Sequence, residues 1–279
     1  MAESTGRDPE LRANDADLTP EQKQARVTQV FQKICEDYDH MNDVISFGRH
    51  RAWKRALVRR VVQARPRAVL DVASGTGDIA LALARALPET RIVACDLSEN
   101  MLEVAQRRFE AASASNIEIS CQDALHMRFS DESFDVVTTS FGLRNLPDFQ
   151  RGVEQMVRVL RPGGLFSCLE SSYPTNVLVR PFFHLYFSHL MPWIGRTFVA
   201  APDEYQWLAD STEVFLSKDE LARLMERAGL GAVHYRSFML GGAALHTGIK
   251  GVPHRAAAVV PPARFERATP ALGELCSIP

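Results

Sequence analysis

The sequence predicts an α/β protein built on a doubly wound parallel sheet. Three observations carry that prediction. Short apolar or β-branched runs recur through the middle of the chain, and helical stretches separate them, which is the rhythm of βαβ units. One run ends in Val69-Leu-Asp-Val-Ala-Ser-Gly-Thr-Gly-Asp78, where a strand feeds a bare backbone turn that opens a helix, the device of a nucleotide-cradling loop.

Taken in order, residues 1–19 are polar and acidic and read as a disordered lead-in. From Pro20 the pattern turns helical, with Val27, Val30, Phe31 and Ile34 at three- and four-residue spacing. A second helix, Arg51 to Val62, completes a helical cap over 20–63. The runs Ala68–Val72, Arg91–Asp96, Ile117–Ser120, Phe134–Thr139 and Leu165–Leu169 read as strands. Helices near Asp78–Leu87, Glu99–Glu110 and Phe149–Leu160 alternate with them, giving a cofactor-binding core over 66–170. An aromatic-rich helical insertion follows over 171–227, interrupted by Pro174, Pro181, Pro192 and Pro202. Two strand-like runs, Ala232–Leu240 and Ala243–Lys250, close a single domain spanning 20–250, with the final strands in 228–250. Periodicity vanishes from Gly251, so 251–279 reads as a disordered tail, and no function is assigned to it.

Composition excludes several function classes. A net charge of −2 gives no electrostatic footprint for nucleic acid. The five cysteines are odd in number and scattered, against a disulfide framework or a zinc site and in keeping with a reducing cytoplasm. No signal-peptide pattern and no apolar run of the ~18 residues that a membrane span needs are present, which leaves contact with a bilayer surface open.

Gly75-Thr-Gly77-Asp-Ile-Ala80 also satisfies the relaxed dinucleotide fingerprint, and Asp96 ends the next strand where a ribose ligand belongs. The acids separate the readings. Asp71 lies inside the strand end before the loop, where a carboxylate organises the turn or meets a cationic aminoacyl group. A pyrophosphate beside Asp71 and Asp78 would add like charge, whereas an adenosine bearing a cationic sulfonium suits them. Gln122-Asp123-Ala124, at the end of the third strand, is placed to meet an adenine amino group. Each acid alone is also a turn former or helix N-cap, Asp78 above all. Together, at successive strand ends, they point to S-adenosylmethionine.

Val30-Phe-Gln-Lys-Ile-Cys-Glu-Asp-Tyr-Asp-His-Met-Asn-Asp43, followed by Ser46-Phe-Gly-Arg-His-Arg-Ala-Trp-Lys54, resembles the amino-terminal signature of the ubiquinone and menaquinone biosynthesis C-methyltransferases. Ser140-Phe-Gly-Leu-Arg-Asn145, Val159-Leu-Arg-Pro-Gly-Gly164 and Ala244-Leu-His-Thr-Gly248 continue the likeness, which spans Val27 to Lys250. The resemblance implies a class I S-adenosylmethionine-dependent methyltransferase (Rossmann-like) fold: seven strands with the last antiparallel, and a prenylated quinol as methyl acceptor. Glu170-Ser-Ser-Tyr-Pro174 looks more like the menaquinone branch, where a small hydroxyl residue follows the glutamate, than the ubiquinone branch, where Phe is common. The tail runs past the family's usual carboxyl end at Lys250, and Ile249 stands where an aromatic residue is common.

By the same resemblance the donor is held by Thr76 in the loop, Asp96 on the ribose, Asp123 and Ala124 around the adenine, and Ser140 after the fourth strand; the reading of the glycine loop adds Asp71, Gly75 and Gly77. Arg144 and Asn145 follow on the loop facing the donor. Arg144 stays protonated, so it would stabilise a phenolate or order a water rather than act as a base; otherwise it is a surface ion-pair partner and Asn145 a turn residue. Tyr38, Asp39 and His50 would close over the donor or cap and pack the first helices. His246 has the pKa range of a base near neutrality, or is a satisfied structural histidine.

The insertion Val177–Phe198, with Phe182, Phe183, Tyr186, Phe187 and Trp193 between Arg180 and Arg196, suits a polyprenyl channel, a docking surface or ordinary core. The sequence therefore predicts C-methylation of demethylmenaquinol to menaquinol by a cytoplasmic enzyme that can make peripheral contact with a membrane and is compatible with a homodimer. Alternatives are the corresponding ubiquinone-pathway methylation, methylation of a soluble natural product, a nucleotide-dependent oxidoreductase and a non-catalytic ligand sensor.

Overall fold

The computed structural model describes Asp43, Ser46 and residues 48–172 and 215–251. In chain order these form α1 (His50–Gln63), β1 (Ala68–Val72), α2 (Asp78–Ala86), β2 (Arg91–Asp96), α3 (Glu99–Ala111), β3 (Ile117–Cys121), β4 (Phe134–Ser140), α4 (Phe149–Val159), β5 (Leu160–Ser171), α5 (Lys218–Arg227), β6 (Leu230–Phe238) and β7 (Ala243–Lys250). The helix expected from Pro20, the signature residues Tyr38 and Asp39, the insertion Val177–Phe198 and the tail from 252 lie outside the described residues.

The central runs become strands because both of their faces are covered. All five residues of β1 are buried, the pattern of a parallel sheet with helices on each side. With side chains alternating, Val69 joins Leu57, Val61, Leu83, Ala105 and Phe109 beneath α1, α2 and α3. Leu70 and Val72 face the other way, into Val153, Met156, Leu221 and Leu224 of α4 and α5.

The strand order is β3-β2-β1-β4-β5-β7-β6. β1 pairs in parallel with both β2 and β4, as do β2 with β3 and β4 with β5, while β7 runs antiparallel between β5 and β6. This is the seven-stranded sheet with an antiparallel last strand that the resemblance implied. The chain's winding reverses between β1 and β4, so the loops after those strands diverge and open a crevice at their carboxyl ends.

Two strands depart most from the sequence reading. β5 starts at Leu160 rather than Leu165: Leu160 pairs with Phe134, and a register shift between Phe134 and Val136 takes up Pro162-Gly163-Gly164 as a bulge instead of a turn. β6 runs from Leu230 to Phe238, because Met239 and Leu240 leave the strand in left-handed conformations with φ of 46° and 54°.

Gly77 caps α2 at φ 82°, and a Cβ there would sit 2.4 Å from the Phe109 ring and 3.1 Å from Ala105 Cβ on α3. Its bareness lets the loop lie on α3. Gly77→Ala is therefore expected to lose at least about 2 kcal/mol of stability through overpacking and left-handed strain. Phe109→Leu in the same chain should return part of it. An unchanged urea midpoint for the single variant would remove this packing account.

Candidate active site

The crevice is one cavity walled by four strand ends. The β1 loop contributes Ala73 and Gly75; β2 contributes Asp96 and Leu97; Asp123 and Ala124 follow β3; Ser140, Phe141 and Asn145 follow β4. Six of the residues picked from sequence, Gly75, Asp96, Asp123, Ala124, Ser140 and Asn145, are thus brought together. Asp71 and Thr76 line an adjoining recess with Lys54 and Asp78, and Ser140 and Phe141 border both spaces.

Backbone shape sets the walls. Ala73 and Phe141, directly after β1 and β4, hold φ of 54° and 57°, values that cost an L-residue about 1 kcal/mol or more. A Cβ on Gly142 would meet Ala73 Cβ at 2.4 Å, so the two loops press together there. At Gly75 the reverse holds: nothing lies within 4 Å of a Cβ position, and its bare backbone faces open space.

Charge at the site is negative and only partly compensated. Asp96 is fixed by two backbone donors, Gly75 N–H to Oδ2 at 2.8 Å and Ser98 N–H to Oδ1 at 2.9 Å, and each oxygen keeps a further lone pair for a ligand hydroxyl. Burial pushes its carboxyl upward, against those donors. Asp71 is buried to 1 % exposure, and its Oδ2 has no hydrogen-bond partner. Burial first and the Asp96 charge second push the Asp71 carboxyl up to about 8, with Lys54 and the Ala80 N–H opposing. Such a carboxylate returns to its ordinary range when a cationic group arrives beside it.

Behind the loop, Asp78 takes Lys54 of α1 at 2.8 Å and Arg108 of α3. Burial pushes the Asp78 carboxyl up, but the two cations bring it down to about 2 overall. Arg108 also donates to Thr76 Oγ1 at 2.9 Å, so Thr76 braces the loop against α3. On the far wall Asp123 Oδ1 accepts the Leu125 N–H at 2.8 Å, and its Oδ2 stands 3.3 Å from His126 Nδ1.

Arg144 is placed in a buried ion pair, not on the surface. Its Nη1 donates to Glu170 Oε1 at 2.8 Å and to Ser171 Oγ at 2.7 Å, and its backbone N–H reaches Glu170 Oε2 at 3.3 Å. The guanidinium carbon lies 5.7 Å from the centre of the Phe141 ring. Asn145 Nδ2 donates to the Phe141 carbonyl at 3.3 Å, while Asn145 Oδ1 and Ser140 Oγ are buried at the cleft without a partner.

His246 is not brought to the cleft. It sits mid-strand on the sheet face covered by α5, its Nε2 3.0 Å from the Lys218 carbonyl, and burial pushes its pKa down to about 4. His50 Nδ1 is 2.8 Å from Ser46 Oγ under α1, and burial, reinforced by Lys54, likewise pushes its pKa down to about 4. Among the described residues no cluster of His, Cys, Asp and Glu could hold a metal ion. Sequence reasoning missed Glu170 as the partner of Arg144, Lys54 as the cation facing Asp71 and Asp78, and the apolar wall of Leu97 and Met101. Glu170 carried a signal, an acid at the end of a mostly apolar run.

The unpaired Asp71 generates a pH prediction. Its folded carboxyl at about 8 lies above the ordinary 3.8, so its contribution to stability is present below about pH 4 and lost as pH rises through 8. Asp71→Asn should therefore melt progressively higher than the wild type as pH rises across that window. A melting difference that does not change with pH would refute the buried-charge account. For the ion pair, Arg144→Leu leaves Glu170 buried and unpaired and should cost about 3–5 kcal/mol. Arg144→Leu with Glu170→Met should recover most of that loss; simple addition of the two single effects in denaturant titrations would show no coupling.

Comparison with known proteins agrees with this geometry. The sequence pattern of the ubiE/COQ5 methyltransferase family matches residues 19–250. Proteins of Bacillus cereus and Bacillus anthracis named demethylmenaquinone methyltransferase are each 43% identical over 230 residues, covering 82% of this chain and 97% of theirs. A solved SAM-dependent methyltransferase from Thermotoga maritima aligns with a TM-score of 0.51 at 19% identity, over 80% of this chain and 99% of that one, a likeness of fold. With the matched pattern running from ahead of α1 to the last residue of β7, the chain belongs to the ubiE/COQ5 methyltransferase family and is a methyltransferase.

Proposed function

We propose that the enzyme transfers a methyl group from S-adenosylmethionine to a ring carbon of a prenylated demethylmenaquinol, giving menaquinol. The observation that carries the reading is the acid-walled crevice, with the partnerless Asp71 Oδ2 beside the open backbone of Gly75. A donor with an ammonium and a sulfonium fits that charge, whereas a dinucleotide phosphate would be repelled by it. The name of the Bacillus relatives supports the quinol acceptor. S-adenosylmethionine supplies the electrophilic methyl group.

Within this reading Asp96 takes the ribose hydroxyls on its remaining lone pairs, and Asp71 faces the cationic aminoacyl end. Asp123 and Ala124, with Leu97 and Met101, enclose the adenine. Thr76 keeps the loop in place through Arg108. Ser140 Oγ, which borders both spaces, and Asn145 Oδ1 are polar atoms left unpartnered at the cleft and can hydrogen-bond the bound ligands. A quinol carbon becomes nucleophilic once a neighbouring hydroxyl has lost its proton, and alignment of that carbon with the methyl group accounts for much of the rate, up to about 7–11 kcal/mol for well-oriented partners. Arg144 is a positioning residue: pinned by Glu170, it fixes the turn that presents Asn145. Ser171 favours the menaquinone branch, since its hydroxyl accepts from Arg144 and a phenylalanine there would not.

Labelled methyl should pass from S-adenosylmethionine to demethylmenaquinol faster than to the ubiquinone-pathway methoxy-polyprenyl-benzoquinol. The opposite preference would place the enzyme in the other branch, and transfer to neither would end the quinol reading. Asp96→Ala, if folded, should weaken donor binding by on the order of 1.5 to 3 kcal/mol through lost charge-assisted hydrogen bonds. Unchanged affinity by titration calorimetry would take Asp96 out of the donor site.

A further inference from the structure

We infer that the arginine-rich face of α1, together with Arg85 at the end of α2, docks the enzyme on an anionic phospholipid bilayer. From the proposed function it takes one thing, an acceptor whose polyprenyl tail resides in a bilayer.

The charge is concentrated. Between Asp43 and Asp71 the chain has no acidic residue, yet α1 alone bears Arg51, Lys54, Arg55, Arg59 and Arg60, in a protein of net charge −2. Arg51, Arg55 and Arg59 follow at four-residue spacing, stacked on one face, an arrangement that opposes helix formation through like-charge repulsion. Arg51 also stands in the first turn, where the helix dipole disfavours a cation and the turn itself contains no acid. Neither local propensity nor packing explains three stacked arginines, because the buried face of α1 consists of His50, Trp53, Leu57 and Val61.

Between this face and α2 runs a groove of about 500 Å³, bordered by Arg51, Lys54, Arg55, Arg59, Arg85 and Arg108 against only two carboxylates, Asp43 and Asp78. Both carboxylates are taken, Asp43 by Arg51 and Asp78 by Lys54 and Arg108. Arg55, Arg59 and Arg85 are exposed and make no ion pair among the described residues. Guanidinium groups so arranged match phosphodiester headgroups, which they bind in bidentate fashion.

A bilayer is the occupant that the rest of the molecule favours. The patch is local and the chain as a whole is acidic, unlike a nucleic-acid binder with a broad positive footprint. No helix among the described residues is long and apolar enough to cross a membrane, and a charged helix face makes its contact at the bilayer surface. The same helix also reaches the cleft: Trp53 stacks on Phe238 at 6.0 Å and lies 6.4 Å from Phe141, a wall of the active site. Headgroups held at the outer face of α1 would bring the bilayer, and the acceptor within it, beside that wall.

The test is co-sedimentation of the full chain with vesicles of phosphatidylglycerol and phosphatidylcholine, and of phosphatidylcholine alone. The wild type should bind the anionic vesicles only, less so at high salt. Each cation near an anionic surface is worth about fivefold in partitioning, so combining Arg55→Gln, Arg59→Gln and Arg85→Gln should lower binding about a hundredfold. Lysine at the same three positions should restore binding to within a few-fold. Methyl transfer to a short-chain, water-soluble quinol should be unchanged in both variants, while transfer to a long-chain quinol in anionic vesicles should fall with binding. Wild-type binding to neutral vesicles as tight as to anionic ones, or a glutamine variant that binds like the wild type, overturns the proposal. So does an RNA probe that vesicles fail to displace. Loss of methyl transfer to every quinol with charge-dependent vesicle binding intact would defeat the functional reading and leave the docking face standing.

Discussion

The clamp on Asp78 is the interaction from which the site's shape follows. Asp78 opens α2 directly after the glycine loop, and its carboxylate is held by Lys54 of α1 and Arg108 of α3. One side chain thereby joins three helices on the same face of the sheet. Arg108 extends the tie to Thr76, inside the loop, and Gly77 lets the loop lie against Phe109. The loop is consequently fixed from behind, and its open side, at Gly75, faces the cavity. Because Asp78 is partly buried, neither cation can be lost without leaving a charge that the interior poorly solvates.

Fixing Asp78 as an anion has a consequence for Asp71. Lys54 lowers both carboxyls and donates a hydrogen bond to Asp78. Asp71 is left with the Ala80 N–H on one side and a bare oxygen on the other. The crevice thus holds carboxyls that ionise fully only when a cation arrives, while the outer face of α1 is strongly positive. A net charge of −2 conceals that separation: the cavity favours a cation and the outer groove an anion, on opposite sides of one helical layer.

Much of the fold was legible because burial on both faces makes parallel strands read as apolar runs. β1, β2 and β7 begin and end where the sequence predicted. The bulge at Pro162-Gly163-Gly164 was not legible, since glycine and proline signal a turn and only the Leu160–Phe134 pairing shows the ladder continuing. At the site, the acids at strand ends were readable because topology places strand ends together. Partnerships were not. Arg144 and Glu170 are far apart in the chain, and nothing local distinguishes a buried guanidinium from an exposed one. His246 was singled out for its titration range, but β7 turns it to the α5 face, where the Lys218 carbonyl meets it. The left-handed backbone at Ala73 and Phe141 was equally hidden, because neither residue type advertises that conformation.

Phe141 shows why such strain is kept. Its left-handed conformation lets the N–H bond the Leu169 carbonyl at 2.8 Å while its own carbonyl accepts from Asn145. The ring then lies between Trp53 of α1 and the guanidinium of Arg144. A residue in an ordinary strand or helical conformation at this point would aim either the carbonyl or the ring elsewhere. The outer helix, the buried Arg144–Glu170 pair and the cleft wall therefore meet at one strained residue. Trp53 of α1 and Asn145 are thereby linked across Phe141 by one ring contact and one hydrogen bond, so the surface helix and the cleft wall share a single intermediary.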